Sequence, residues 1–268
     1  MSPPAYSEEL RRACHWAQEA GRLIRSRVGR HGRIRYKGII NLVTDVDRLA
    51  EACIIERIQR AYPQDVILSE ESGLVGPVGP GPRTPKPRIW VVDPLDGTTN
   101  FAHGFPMFCV AIALCQGPQT WLGVVHHPIL QETFTAVRGR GAWLNGKRIR
   151  VTREKRLISA LLATGFSYQE GSSLKASLEL FGRFLRSSQA VRRAGSAALD
   201  LAYLACGRFD GFWERDLKPW DVAAGALLVE EAGGRVTDFS GGPFRIKGSQ
   251  ILATNGRLHG QVLKLLKG

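Results

Sequence analysis

The chain has little cysteine. Five in 268 residues, at positions 14, 53, 109, 115 and 206, are odd in number, scattered and without any C-x-x-C, so neither a disulfide framework nor a zinc site is suggested. They read as small buried hydrophobes. A long apolar run is also missing: the longest, Met107 to Cys115, is about half of the ~20 residues a spanning helix needs, so it predicts a buried strand and no integral membrane protein. The start, Met-Ser-Pro-Pro-Ala-Tyr-Ser-Glu-Glu, lacks the basic residues and apolar stretch of a secretory signal, and the expected location is the cytoplasm. No repeat with a period of about 20 to 50 residues recurs, which sets solenoids and propellers aside. Acids are outnumbered: 24 Asp and Glu against 37 Lys and Arg leave +13, favouring anionic partners such as nucleic acid, phosphorylated metabolites or acidic surfaces without choosing among them.

What is present is a globular composition, 44% apolar and 23% charged, with chain enough for one large domain or two modest ones. Helical spacing of Leu10, Ala13, Cys14, Ala17, Ala20, Ile24 and Val28 predicts a helix over 7–28 with Ser7 as its N-cap. A second runs from near Thr44 to before Pro63 and carries Asp47 in its first turn. Between them, Arg22 to Lys37 holds seven basic residues, either a nucleic-acid footprint or a solvated helix end. Val66 to Leu68 and Ile89 to Val92 read as neighbouring buried strands that end in acids. The Pro- and Gly-rich 73–88 segment reads as a surface loop without regular structure. Strands at 107–115, 121–126, 132–137 and a 142–151 hairpin turned by Asn145-Gly146 make antiparallel territory. Beyond residue 155 the order is strand 160–164, helices 174–186 and 196–206, strand 209–213, helix 221–232, strands 235–238 and 250–254, and helix 256–267. The boundary falls at the charged link 152–156, giving domains 1–152 and 153–268.

The chemistry gathers where Trp90-Val-Val-Asp93-Pro94-Leu95-Asp96-Gly97-Thr98-Thr99 runs out of a buried strand into two carboxylates and then Gly-Thr-Thr. Free amides from Gly97 onward suit a phosphate. Two carboxylates beside a phosphate repel it and each other unless divalent cations lie between them, so the string asks for metal. A second acidic strand end is Ser69-Glu70-Glu71-Ser72. The third is Glu214 to Asp221, where Asp221 opens an apolar helix behind Trp220 and simple capping is the plain alternative. Gly195-Ser196-Ala197-Ala198 is a further helix start with free amides.

These strings, with Asn41-Leu-Val-Thr44-x-x-Asp47, Gly139-x-Gly141-Ala142, Asn145-Gly146 and the stretch from Glu230 to Gly234, resemble the magnesium-dependent inositol monophosphatase family over nearly the whole chain, most closely its bacterial inositol-1-monophosphatase branch. The resemblance implies an α+β fold layered as an αβαβα sandwich, with the metal site between an N-terminal α+β half and a C-terminal α/β half, and commonly a homodimer. It implies that Glu70, Asp93, Asp96, Asp221 and the Leu95 carbonyl bind two Mg²⁺ ions and that Asp47 touches a third through water. By the same likeness Gly97, Thr98 and Thr99 hold the phosphate, Glu70 and Thr98 orient the attacking water, and Ala197 and Glu214 face the alcohol, with Gly195 and Ser196 beside them. One ion lowers the pKa of water and another shields the leaving alkoxide.

The implied activity is a lithium-sensitive phosphomonoesterase acting on a small phosphorylated metabolite, myo-inositol 1-phosphate first. Fructose 1,6-bisphosphate, histidinol phosphate and nucleotide 3′-phosphates use the same metal chemistry. A rival reading is a basic RNA- or transcription-associated protein with secondary phosphatase activity. Asn41 stands where many relatives have Asp, and Arg215, Asp216 and Lys218 crowd the segment before Asp221. His126 and His127 are adjacent on a strand, point to opposite faces and read as structural.

Overall fold

The computed structural model describes residues 6–29, 34–36, 42–77, 87–166 and 172–267. Asn41, the 78–86 part of the Pro- and Gly-rich segment, and positions 30–33 and 37 of the basic segment lie outside the described residues.

The first half opens with α1 (Ser7–Ser26), whose apolar stripe of Ala13, Trp16, Ala17, Ala20 and Ile24 is buried. Ser7 is its first helical residue and not the cap. Tyr6 holds the cap position in the left-handed region without a side-chain bond, while Glu8 and Glu9 complement the helix dipole. A two-stranded ribbon, β1 (Ile34–Tyr36) with β2 (Leu42–Thr44), leads into α2 (Asp45–Ala61). Its cap is Thr44, whose hydroxyl accepts the Val46 amide at 3.2 Å.

Next come β3 (Val66–Ser69), β4 (Gly73–Val75), β5 (Arg88–Asp96), the short α3 (Thr98–Ala102), β6 (Cys109–Gln116), β7 (Gln119–His127), β8 (Glu132–Val137), β9 (Gly141–Leu144) and β10 (Lys147–Ile149). The eight-stranded sheet has the order β10-β9-β8-β7-β6-β5-β3-β4. Its β3–β5 pair is parallel and its other pairs are antiparallel. The expectation of no regular structure from residue 73 needs correction: Gly73 to Val75 pair with β3, Ser69 opposite Gly73, before the first proline of the segment at 77. Asn145 and Gly146 both take positive φ, the turn that matches strand twist and links β9 to β10.

The second half holds β11 (Leu161–Thr164), α4 (Ser172–Ser187), β12 (Ala190–Arg192), α5 (Ala197–Ala205), β13 (Gly211–Arg215), α6 (Pro219–Glu231), β14 (Arg235–Thr237), β15 (Gln250–Thr254) and α7 (His259–Lys267). Its five-stranded sheet runs β12-β11-β13-β15-β14.

Five layers follow from which faces are apolar. Along β5, Trp90 and Val92 point into the core under α1 and α2, while Val91 points into the core shared with α5 and α6. Both faces of the strand are covered, hence its unbroken apolar run. Every α5 residue and Val222 to Val229 of α6 are buried, as a helix needs when a sheet lies on each side. On the far face of the smaller sheet, Phe184 of α4 and Val262 of α7 pack with Leu162 and Trp213. The result is an αβαβα sandwich. At Gly123 of β7 the backbone of α6 approaches so closely that a Cβ there would lie 2.8 Å from the Ala224 carbonyl oxygen. At the other end of α6, Glu231 accepts the Gly139 and Gly141 amides, each at 2.7 Å, which ties the helix to the β8–β9 turn.

Candidate active site

Strand alternation sets the first carboxylate. Continuing the odd-numbered face of β5 from Val91, Asp93 points inward toward α6 and is 1% exposed. The ladder with β6 then shifts register between Asp93 and Asp96, and the Leu95 amide, freed from the sheet, donates to Asp93 Oδ1 at 3.0 Å. Asp96 turns to the second half of the molecule: its Oδ2 accepts the Ser196 hydroxyl at 2.7 Å and the Ala198 amide at 2.8 Å at the start of α5. Gly97 follows with φ of 97°, and a Cβ there would stand 2.7 Å from the Met107 carbonyl oxygen, so only glycine fits. The Asn100 carboxamide donates to the carbonyls of Met107 at 2.6 Å and Ala194 at 2.8 Å, holding the segment before Gly195 against α3.

Glu70 leaves β3 beside Asp93, because Ser69 is paired in parallel register with Val92. The turn carrying it is ordered by Glu51 of α2, a buried acid that accepts the Glu71 amide at 2.9 Å, the Ser72 amide at 3.2 Å and the Ser69 hydroxyl. Asp221, in the first turn of α6, accepts the Lys218 amide at 2.6 Å. Glu214 comes from the end of β13. Asp47 is fully buried, with Oδ2 taking the Thr44 amide at 2.8 Å and hydroxyl at 2.6 Å, and Oδ1 taking the Thr98 hydroxyl at 2.9 Å. The Thr98 hydroxyl also lies 3.1 Å from the Leu95 carbonyl oxygen.

One cavity of about 380 Å³ gathers these groups. From the larger sheet come Glu70, Asp93, Leu95, Asp96 and the Gly97 to Thr99 turn; from the smaller half come Gly195, Ser196, Ala197, Glu214 and Asp221. Asp47 is not on the wall. It stands behind Thr98 and holds that hydroxyl. Ser196, expected to face substrate, spends its proton on Asp96. Asp200, Arg193 and Lys218 are on the wall as well. Asp200 and Glu51 escaped the sequence reading, although each is a lone acid in the apolar part of a helix, which is a readable signal.

The acids raise one another. Burial, then the charges of Glu70, Asp96 and Asp221, lifts the Asp93 carboxyl well above its ordinary range. Burial and Asp96 push Asp221 up to about 8, and burial with Asp221 and Asp96 pushes Glu214 up to about 8. Asp96 reaches about 6 by burial, against the opposing bonds from Ser196 and Ala198. Burial and then Glu214 raise Asp200 well above the usual carboxylate range.

Such a donor set suits a hard divalent cation: oxygens only, drawn from several chain segments, with Asp93, Asp96 and Asp221 each pinned by an amide or hydroxyl. Among the described residues no three His, Cys, Asp or Glu side chains form a finished metal cage as they stand. Cys109 lies 3.9 Å behind Asp96 Oδ2, and burial raises its thiol well above the ordinary value, which keeps it out of thiolate chemistry.

The sequence profile of the inositol monophosphatase family matches residues 6–268. The chain belongs to that family. An inositol-1-monophosphatase of Synechocystis sp. is 43% identical over 267 residues, covering 99% of this chain and 91% of that protein. Nus factor SuhB of Pseudomonas aeruginosa is 45% identical over 243 residues, covering 89% of this chain and 88% of that protein. The solved structure of an inositol monophosphatase from Anabaena (Nostoc) sp. superposes with a TM-score of 0.85 at 40% identity, covering 97% of this chain and 95% of the other. This member of the inositol monophosphatase family is accordingly a phosphoric monoester hydrolase acting on inositol phosphate, and its family is generally metal-dependent. No helix among the described residues is long and apolar enough to cross a membrane.

Proposed function

We propose that the protein hydrolyses myo-inositol 1-phosphate to inositol and orthophosphate, using two to three Mg²⁺ ions held by Glu70, Asp93, Asp96, Asp221 and the Leu95 carbonyl. The observation that carries this reading is the convergence of carboxylates from the end of β3, from β5 and from the first turn of α6 on one cavity beside the Gly97 turn, with Asp93 buried at its base. When bound, the cations supply charge neutralisation, a lowered pKa for water and shielding of the leaving alkoxide.

The remaining work falls to the chain. Amides at Gly97, Thr98 and Thr99 seat the phosphate at the left-handed turn. The single Thr98 proton goes to Asp47 or to the Leu95 carbonyl, which leaves the hydroxyl oxygen open to accept from a water. Glu70 accepts the other proton of that water, so two acceptors orient its lone pair at phosphorus. Asp47 serves through Thr98 and reaches a third ion through water. Ala197 and Glu214 meet the alcohol, with Gly195 and Ser196 framing the start of α5. Lithium inhibition, a homodimer and a cytoplasmic location belong to the same reading, and residues 1–152 and 153–268 serve as its two domains.

Phosphate release should be followed across a panel of esters that includes fructose 1,6-bisphosphate, histidinol phosphate and a nucleotide 3′-phosphate, with and without Mg²⁺, for the wild type and Asp93→Asn. Mg²⁺-dependent release, fastest on the inositol ester and lost in the variant, is expected. Release unaffected by Asp93→Asn overturns the site.

The +13 charge and the likeness to a protein named Nus factor favour a second role, association with nucleic acid. RNA binding that falls steeply with salt and survives Asp93→Asn supports it; no salt-sensitive binding rejects it.

A further inference from the structure

Helix α5 is apolar along its length except for one residue. Between Ala197 and Ala205 the only charged side chain is Asp200, 1% exposed and on the wall of the cavity. Its Oδ1 is buried with no hydrogen-bond partner among the described residues. A buried carboxylate oxygen left unmatched is costly, and an apolar residue in this helix gives a more stable fold. Its retention calls for a donor brought by something that enters the cavity.

Geometry says which end of the substrate that is. Asp200 is four residues after Ser196, so the two share a helix face, and Ser196 is bonded to Asp96. Glu214 lines the same cavity, and its carboxyl lies directly over Gly165: a Cβ at 165 would fall 2.1 Å from Glu214 Oε1. Two acids facing one pocket accept hydrogen bonds from hydroxyls. With the phosphate seated by amides at the Gly97 turn, the Asp200 end takes a neutral group rich in O–H donors.

We infer that Asp200 is a specificity-determining residue, which together with Glu214 accepts hydroxyl hydrogens of the leaving alcohol and so selects phosphate esters of polyols over esters whose alcohol carries no other hydroxyl. This rests on the phosphatase reading above. It adds to that reading the residue that senses the alcohol.

The test compares kcat/KM for myo-inositol 1-phosphate and for p-nitrophenyl phosphate, whose leaving group has no further hydroxyl, in the wild type, Asp200→Asn and Asp200→Ala. In Asp200→Ala the ratio of the two should fall about 3- to 10-fold, as loss of one hydrogen bond implies, with most of the change in KM for the inositol ester. Asp200→Asn keeps an acceptor of the same shape and should fall less. Both variants should melt at or above the wild-type temperature, since each removes the orphaned carboxylate. An unmoved ratio with the wild type active on both esters overturns this inference alone. A lowered melting temperature in Asp200→Asn with an unmoved ratio does the same and makes Asp200 a structural residue. Inactivity of the wild type on both esters overturns the phosphatase reading and this inference with it.

Discussion

Glu51 and Ser72 are joined twice: the Glu51 carboxylate accepts the Ser72 amide at 3.2 Å through Oε1 and the Ser72 hydroxyl at 2.5 Å through Oε2. The bond pair fixes the turn that carries Glu70, one strand away from Asp93. Glu51→Gln replaces one acceptor oxygen by a donor facing other donors. Glu70 then loses its support while every cavity-facing side chain is kept. The Mg²⁺ concentration for half-maximal phosphate release should rise about 10- to 100-fold, the usual effect of losing a partner behind a metal ligand. Stability should drop by about 1–3 kcal/mol in denaturant titration. An unchanged Mg²⁺ requirement would show that Glu70 holds its place without Glu51.

Thr98 tests the water-orienting pair. Thr98→Ser keeps the hydroxyl between Asp47 and the Leu95 carbonyl and should retain kcat within about tenfold, while Thr98→Val should lose about 10²- to 10³-fold in kcat with a much smaller change in KM. Steady-state phosphate release on the inositol ester measures both. Equal losses in the two variants would place the contribution of Thr98 in its backbone amide.

His259 makes stability depend on acid. Thr237 gives its proton to the Asp238 carbonyl at 2.7 Å and so accepts from His259 Nε2 at 3.0 Å, while Thr254 accepts the Gly256 amide at 3.1 Å and donates to Nδ1 at 2.9 Å. That network assigns the neutral imidazole, and burial, with Arg235, lowers its pKa from 6.5 to about 4. In the window from 6.5 down to 4 the unfolded chain binds a proton the native one refuses, so this contribution is full above the ordinary value and declines as the pH falls through the window. His126, lowered to about 4 by burial, acts in the same direction. Urea midpoints between pH 7 and 4.5 should fall less steeply in His259→Gln than in the wild type, by on the order of 2 kcal/mol over the window. Parallel profiles would contradict the assignment.

How much of this could be read from residue order differs by element. The acids at the ends of β3 and β5 stood out because apolar runs stop abruptly at charge, and helix α6 because Asp221 sits at the head of an apolar stretch. The pairing of β3 with β5 followed from two short β-branched runs of similar length. Strand β4 was missed because its order comes from Glu51, twenty-odd residues earlier, capturing the amides of the turn before it. Strand β12 is three residues at a sheet edge, too short to show a period. That Asp47 also holds the Thr98 hydroxyl is visible only in the fold. Glu51 and Asp200 interrupt apolar helix faces, the sign that a buried acid has a partner or a ligand.

Because nothing but hydrogen separates Gly123 from the main chain of α6, the span from Asp93 to Asp221 is gauged by backbone against backbone. A methyl group at 123 would act as a shim, lifting the helix off the sheet and loosening the grip on an ion that residue 123 never touches. Adjustment of the chemistry by distant substitution therefore has a natural address in this molecule, on a strand with no chemistry of its own.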